Sequence, residues 1–121
     1  MRPLLPLEIT KFLDRFDHFK DSEIRSLNII SPIEIELTLT AQDKARAFDW
    51  VSITFLFTQV TDAKLINGSQ IAYINLDDGI NIITGDGFFA FCLENYTTLD
   101  SIKESSFYII SKSIKYNEGV F

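Results

Sequence analysis

From Ile33 to Thr40 the chain alternates without interruption, with Ile33, Ile35, Leu37 and Leu39 apolar and Glu34, Glu36, Thr38 and Thr40 polar. Successive side chains of an extended strand point to opposite faces, so this run predicts a strand with one dry face and one wet one. In the preceding segment, Ile24 to Ile30, Leu27 and Ile29 share a side and predict a hairpin partner, with Ser31-Pro32 as the break between the two. Val51, Ile53, Phe55 and Phe57 repeat the rhythm against Ser52, Thr54 and Thr58. Leu56 interrupts it and Val60 lies three residues past Phe57, so the apolar face changes parity near Thr58, as a β-bulge or a strand end would require.

Elsewhere the pattern differs. Leu7, Ile9, Phe12, Leu13 and Phe16 fall at helical spacing, with Pro6 at the entrance, and predict one short amphipathic helix. Residues 41 to 47 are polar with good helix propensity. Asn67-Gly68, Asp78-Gly79 and Asp86-Gly87 are turn signals that separate short apolar runs at Ile71 to Leu76, Ile80 to Ile83 and Phe88 to Leu93. Phe107 to Tyr116 predicts a last strand, preceded by a polar loop or helical turn between Tyr96 and Ser105. Strands joined by such short turns must be antiparallel neighbours. The 121 residues contain 46% apolar residues and eleven phenylalanines, enough for one sizeable core, and no linker or repeat divides them. The expected architecture is a single domain, 1–121, of the α+β class but mostly β: an antiparallel sheet or sandwich of about six to eight strands with one short N-terminal helix.

Composition narrows the function classes. The one cysteine, Cys92, cannot pair within the chain, which fits a reducing cytoplasm. Pro3, Pro6, Glu8 and Lys11 interrupt the apolar residues near the start before they reach signal-peptide length. No apolar run approaches the roughly 20 residues of a membrane helix. Seventeen acidic residues against eleven basic ones give a formal charge of −6 and a pI near 4.6, which opposes attraction to phosphate backbones and anionic lipids; the same charge would speed encounter with a basic protein partner, although net acidity is more often an ordinary solubility device. Nucleic acid and membrane are not expected as partners.

The chemistry-bearing residues form no recognised catalytic motif. One histidine and one cysteine cannot build a zinc site with the usual ligands, and no glycine-rich phosphate loop occurs. Aligning Gly79 with the sixth position of a calcium loop places Ile74 and Leu76 where oxygen ligands are required, so that match fails. No cofactor is expected. Asp17, His18 and Asp21 form a cluster in which carboxylates beside an imidazole could support acid–base chemistry or ligand binding; the alternative is a helix-exit turn held by local hydrogen bonds. Glu34 and Glu36 lie on one face of a strand about 6.5 to 7 Å apart, a separation compatible with paired carboxylates, although Thr38 and Thr40 continue the row as a solvated face would. Trp50 is either a partner anchor or a cap on the core. The apolar neighbours of Cys92 favour an inert core thiol.

His18-Phe19-x-Asp21-Ser22-x-Ile24, followed by a strand pair and then Trp50-x-x-Ile53-x-Phe55-x-x-x-x-Val60-x-x-x-x-Leu65, resembles a loose family of small uncharacterised bacterial domains. Some of these are similar to immunity proteins that neutralise toxins delivered between bacteria. The resemblance implies an α+β or β-sandwich domain that acts by binding and brings no catalytic residues with it. The leading expectation is therefore a non-enzymatic interaction module, with Glu34, Glu36, Trp50, Asp77, Asp78 and Asp86 as candidate partner-binding residues. Two alternatives are a small-ligand-binding domain or enzyme with its site at Asp17, His18 and Asp21, and a homo-oligomeric component paired through the edge of strand 33–40.

Overall fold

The computed structural model describes residues 1–66, 74 and 76–121. The predicted Asn67-Gly68 turn and most of the predicted Ile71 to Leu76 strand lie outside them. Among the described residues seven strands form one antiparallel sheet rather than a sandwich. They are β1 (Arg2–Pro3), β2 (Ile24–Ser31), β3 (Glu34–Asp43), β4 (Asp49–Lys64), β5 (Asn81–Gly85), β6 (Phe88–Cys92) and β7 (Tyr108–Val120). Their order is β2-β3-β4-β7-β6-β5, with β1 also against β7. Two short helices accompany the sheet, α1 (Ile9–Arg15) and α2 (Leu99–Lys103).

Period-two patterning sets the register. Leu37 lies opposite Phe55 and Leu39 opposite Ile53, while on the other face Thr38 lies opposite Thr54 and Glu36 opposite Leu56. The predicted parity change occurs. Phe57 faces Ile114 and Val60 faces Ser111, a step of three on both strands at once, and Gln59 between them takes a left-handed φ of 53°. Two strands that shift together keep their ladder while turning a new set of side chains toward the core. Strand β3 runs on through Ala41 to Asp43, and only Lys44–Arg46 form a helical turn, so the helix propensity of residues 41 to 47 is overridden by pairing with β4.

Helix α1 lies on the dry face. Ile9, Phe12 and Leu13 are buried there, followed by Phe16 and Phe19. Leu7, expected on that face, is 97% exposed, because Pro6–Glu8 form a three-residue-per-turn segment that rotates Leu7 away from the stripe of α1. Leu4 fills the place instead, anchored by its N–H donating to the Ile114 carbonyl at 2.8 Å. Helix α2, capped by the Thr98 hydroxyl accepting from Ser101 N–H, buries Ile102 on the opposite face against Ala90, Cys92, Tyr108 and Ile110. The alternating residues of β6 thus serve two cores, with Phe89 and Phe91 on the α1 side.

Two turns are stitched together at the exit of α1. Asp17, His18 and Phe19 all have left-handed φ, at 54°, 53° and 59°. His18 carbonyl accepts from Ile80 N–H at 2.9 Å, and Asp21 N–H donates to the Leu76 carbonyl at 2.9 Å. Gly79, at φ +76°, makes this approach feasible: a Cβ there would stand 2.0 Å from the His18 carbonyl oxygen. Gly87, at φ +72° in the β5–β6 hairpin, has nothing within 4 Å of its virtual Cβ. Gly79→Ala should therefore cost about 3 kcal/mol or more, combining backbone strain with steric conflict, whereas Gly87→Ala should cost only about 1 kcal/mol from strain. Urea midpoints of the two variants, measured side by side, check the difference.

Candidate functional site

The nine candidate residues separate into three places. Asp17, His18 and Asp21 sit on the turn after α1, and Asp77 and Asp78 sit on the turn bonded to it, so these five are neighbours through the His18–Ile80 and Asp21–Leu76 contacts. The backbone of His18 is committed to that junction. Asp86 lies apart, exposed at the β5–β6 hairpin beside Gly87. Glu34, Glu36 and Trp50 share the face of the sheet opposite α1. The sequence alternation that buries Leu37 and Phe55 on one side necessarily places these three on the other.

That opposite face is the most extensive functional candidate. Helix α2 covers only the part built by β6 and the start of β7, leaving β2, β3, β4 and the end of β7 without a covering element among the described residues. Its surface carries Glu34, Glu36 and Thr38 on β3, Ser52, Thr54 and Leu56 on β4, and Lys115 and Asn117 on β7. Thr38 and Thr54 hydroxyls bond each other at 2.9 Å, Asn28 amide donates to Glu36 Oε1 at 3.3 Å, and Thr58 hydroxyl donates to Ser113 at 2.9 Å. These cross-strand bonds hold the side chains of Asn28, Thr38, Thr54 and Thr58, which leaves fewer rotamers to order on binding. One end is aromatic. Trp50 lies 5.8 Å from the ring of Phe121, and the Arg25 guanidinium stands 4.5 Å from the Phe121 ring centroid.

A second constellation, absent from the sequence-based candidates, joins α1 to the sheet. Arg15 grips Asp43 with Nε and Nη2, at 2.9 and 2.8 Å, and reaches Glu118 with Nη1 at 2.9 Å. The Asp43 side chain is fully buried, and it also accepts from Ala45 N–H at 2.9 Å. Hydrogen bonding from Arg15 holds the Asp43 carboxyl below the usual carboxylate range, against the opposing effect of burial. A paired, fully bonded carboxylate of this kind has no proton to exchange near neutral pH and no site for a reacting atom. It acts as a clamp. No local sequence signal identifies it, because its members stand 28 and 103 residues from Arg15.

The remaining groups are structural. Cys92 donates to the Glu94 carbonyl at 3.0 Å, and burial pushes its thiol pKa up, which keeps it inert. Tyr108 is raised by burial and by its 3.0 Å hydrogen bond to Asp62. Among the described residues no group of three or more His, Cys, Asp and Glu side chains could hold a metal ion. No described helix is long and apolar enough to cross a membrane. The expected oligomer edge is corrected by the sheet order: β3 is paired on both sides, to β2 and β4, so strand 33–40 has no edge to offer.

No family model matches the chain, and no curated protein or solved structure matches it significantly. The functional reading therefore rests on the side chains themselves.

The clamp yields a stability prediction. Asp43→Asn should destabilise the fold by about 2 to 4 kcal/mol at pH 7, a range for breaking a buried pair that allows for Arg15 being 31% exposed. Because the folded carboxyl titrates below its unfolded value of about 3.9, its contribution is complete above that pH and disappears as pH falls through the folded value. Denaturant titrations of both proteins from pH 7 to pH 2.5 should show the gap closing only below about pH 4.

Proposed function

We propose that this chain is a non-enzymatic protein-interaction module whose partner docks on the open face of β2, β3, β4 and β7, in the manner of an immunity-type inhibitor. The observation that carries the reading is the uncovered, cross-bonded face itself, which bears Glu34 and Glu36 toward one end and Trp50 toward the other, all opposite α1. A formal charge of −6 favours a basic partner, with Glu34 and Glu36 as the acids nearest its centre. Trp50 and Arg25 are of the residue types that dominate binding energy at interfaces, and the Phe121 ring joins them. The Asp43 carboxylate, buried and paired with Arg15, has no proton to exchange near neutral pH, which supports binding over acid–base chemistry at that position.

Thr54→Arg places a bulky cation at the middle of this face, where the wild-type hydroxyl meets Thr38. Affinity capture from a lysate of the encoding organism, at low and high salt, should recover a basic protein with the wild type. Recovery should fall at least about tenfold with Thr54→Arg, whose fold is verified by circular dichroism, and the partner should elute at high salt. Equal recovery by both proteins, or recovery of none, rejects the reading.

A further inference from the structure

Phe121 lies one residue beyond the Val51–Val120 pair, beside Trp50, yet its ring also meets Arg25, which stands on β2. β7, which ends one residue before Phe121, and β2, which carries Arg25, are separated by β4 and β3, a span of three inter-strand gaps, or about 14 Å. The two side chains therefore reach toward each other across the face. Between them the outward residues are small: Gly119 on β7, Ser52 on β4 and Thr40 on β3. Gly119 has no room for more, since a Cβ there would stand 2.7 Å from Ser52 Oγ. Thr40 is 1% exposed, and its hydroxyl accepts from Glu23 N–H at 2.8 Å.

The Phe121 ring is not sealed in place. It remains 54% exposed and Trp50 39% exposed, so neither has the burial of a core side chain. Next to them runs a groove of about 300 Å³ bordered by Arg46, Asp49, Val51 and Glu118. A tilted aromatic contact and a cation over the ring face define a cradle selective for a π-system, because both attractions depend on the ring quadrupole.

We infer that Trp50 and Arg25 form a docking cradle for an aromatic side chain of a protein partner, and that Phe121 occupies it as an internal, displaceable stand-in. This rests on the proposed use of the open face for binding and adds the chemistry of the partner's anchor. Phe121 then acts as a competitor: any partner must displace it, and its apparent affinity is lowered by the fraction of time the cradle is filled.

Trp50 is the single tryptophan, so its indole N–H resonance and its fluorescence report on the cradle directly. The probe is N-acetyl-phenylalaninamide, with N-acetyl-leucinamide as the apolar control, titrated into wild type, Phe121→Ala and Phe121→Ala/Arg25→Ala. The expected result is saturable perturbation of the Trp50 signal by the aromatic amide, about tenfold tighter in Phe121→Ala than in wild type and lost again without Arg25. Three results overturn the inference: no saturable response in Phe121→Ala, equal response to the leucine amide, or equal affinity in wild type and Phe121→Ala. Loss of the folded state in Phe121→Ala also overturns it, since a displaceable ring cannot be essential to the fold; Phe121→Leu, which keeps apolar bulk without the π-face, then verifies that bulk alone was required. Because the probe is a free amide, this result stands or falls independently of whether a captured partner is lost with Thr54→Arg.

Discussion

The ring of Phe55 touches four others, those of Phe12, Phe19, Phe57 and Phe91, with centroids between 5.5 and 6.0 Å. Through them it joins α1, the turn after α1, β4 and β6. Three of these contacts are tilted or edge-on and one, with Phe57, is stacked, and together they add specific geometry to a large buried area. Because every one of these rings lies on one side of the sheet, the helix that carries Phe12 must lie there too. A lone amphipathic helix as short as α1 would not persist in water, so its position is dictated by the rings it covers.

One-sided packing is what leaves a surface for binding. On β3 and β4 the buried apolar side chains, Ile35, Leu37, Leu39, Ile53, Phe55 and Phe57, lie on the α1 face, while the other carries mostly hydroxyl and acidic groups, with Leu56 and Trp50 as the large exceptions. A covered second face would need a second apolar set, and only β6 and the start of β7 provide one, where Ala90, Cys92, Tyr108 and Ile110 meet α2. The open face therefore coincides with the polar half of each alternating strand. Arg15 reinforces the asymmetry by tying the end of α1 to Asp43 on β3 and Glu118 on β7, which fixes the helix across the sheet at the end where the aromatic cradle forms. In a low-dielectric setting such a pair orients elements more than it stabilises them, since desolvation offsets much of the attraction.

Much of the fold was legible in the residues. The alternation at 33–40 and 51–57, the hairpin break at Ser31-Pro32, the parity change past Phe57 and the turns at Gly79 and Gly87 are local consequences of strand geometry and of backbone freedom at glycine. Leu7 was not legible, because a tight turn at Pro6–Glu8 changes the angular step on which helical spacing depends. Nor was the extension of β3 to Asp43, where cross-strand pairing overrides helix propensity.

Of the candidate site, alternation alone assigns Glu34 and Glu36 to one wet face, since side chains two apart on a strand must share a side. Everything that depends on residues distant along the chain was decided by the tertiary structure. Strand order turned 33–40 from a proposed edge into an interior strand, brought Phe121 beside Trp50, and carried Arg25 over the Phe121 ring. The physical reason is that a strand's faces are set by its own covalent geometry, while its neighbours are set by which apolar faces can be buried together, and only the folded chain resolves that competition.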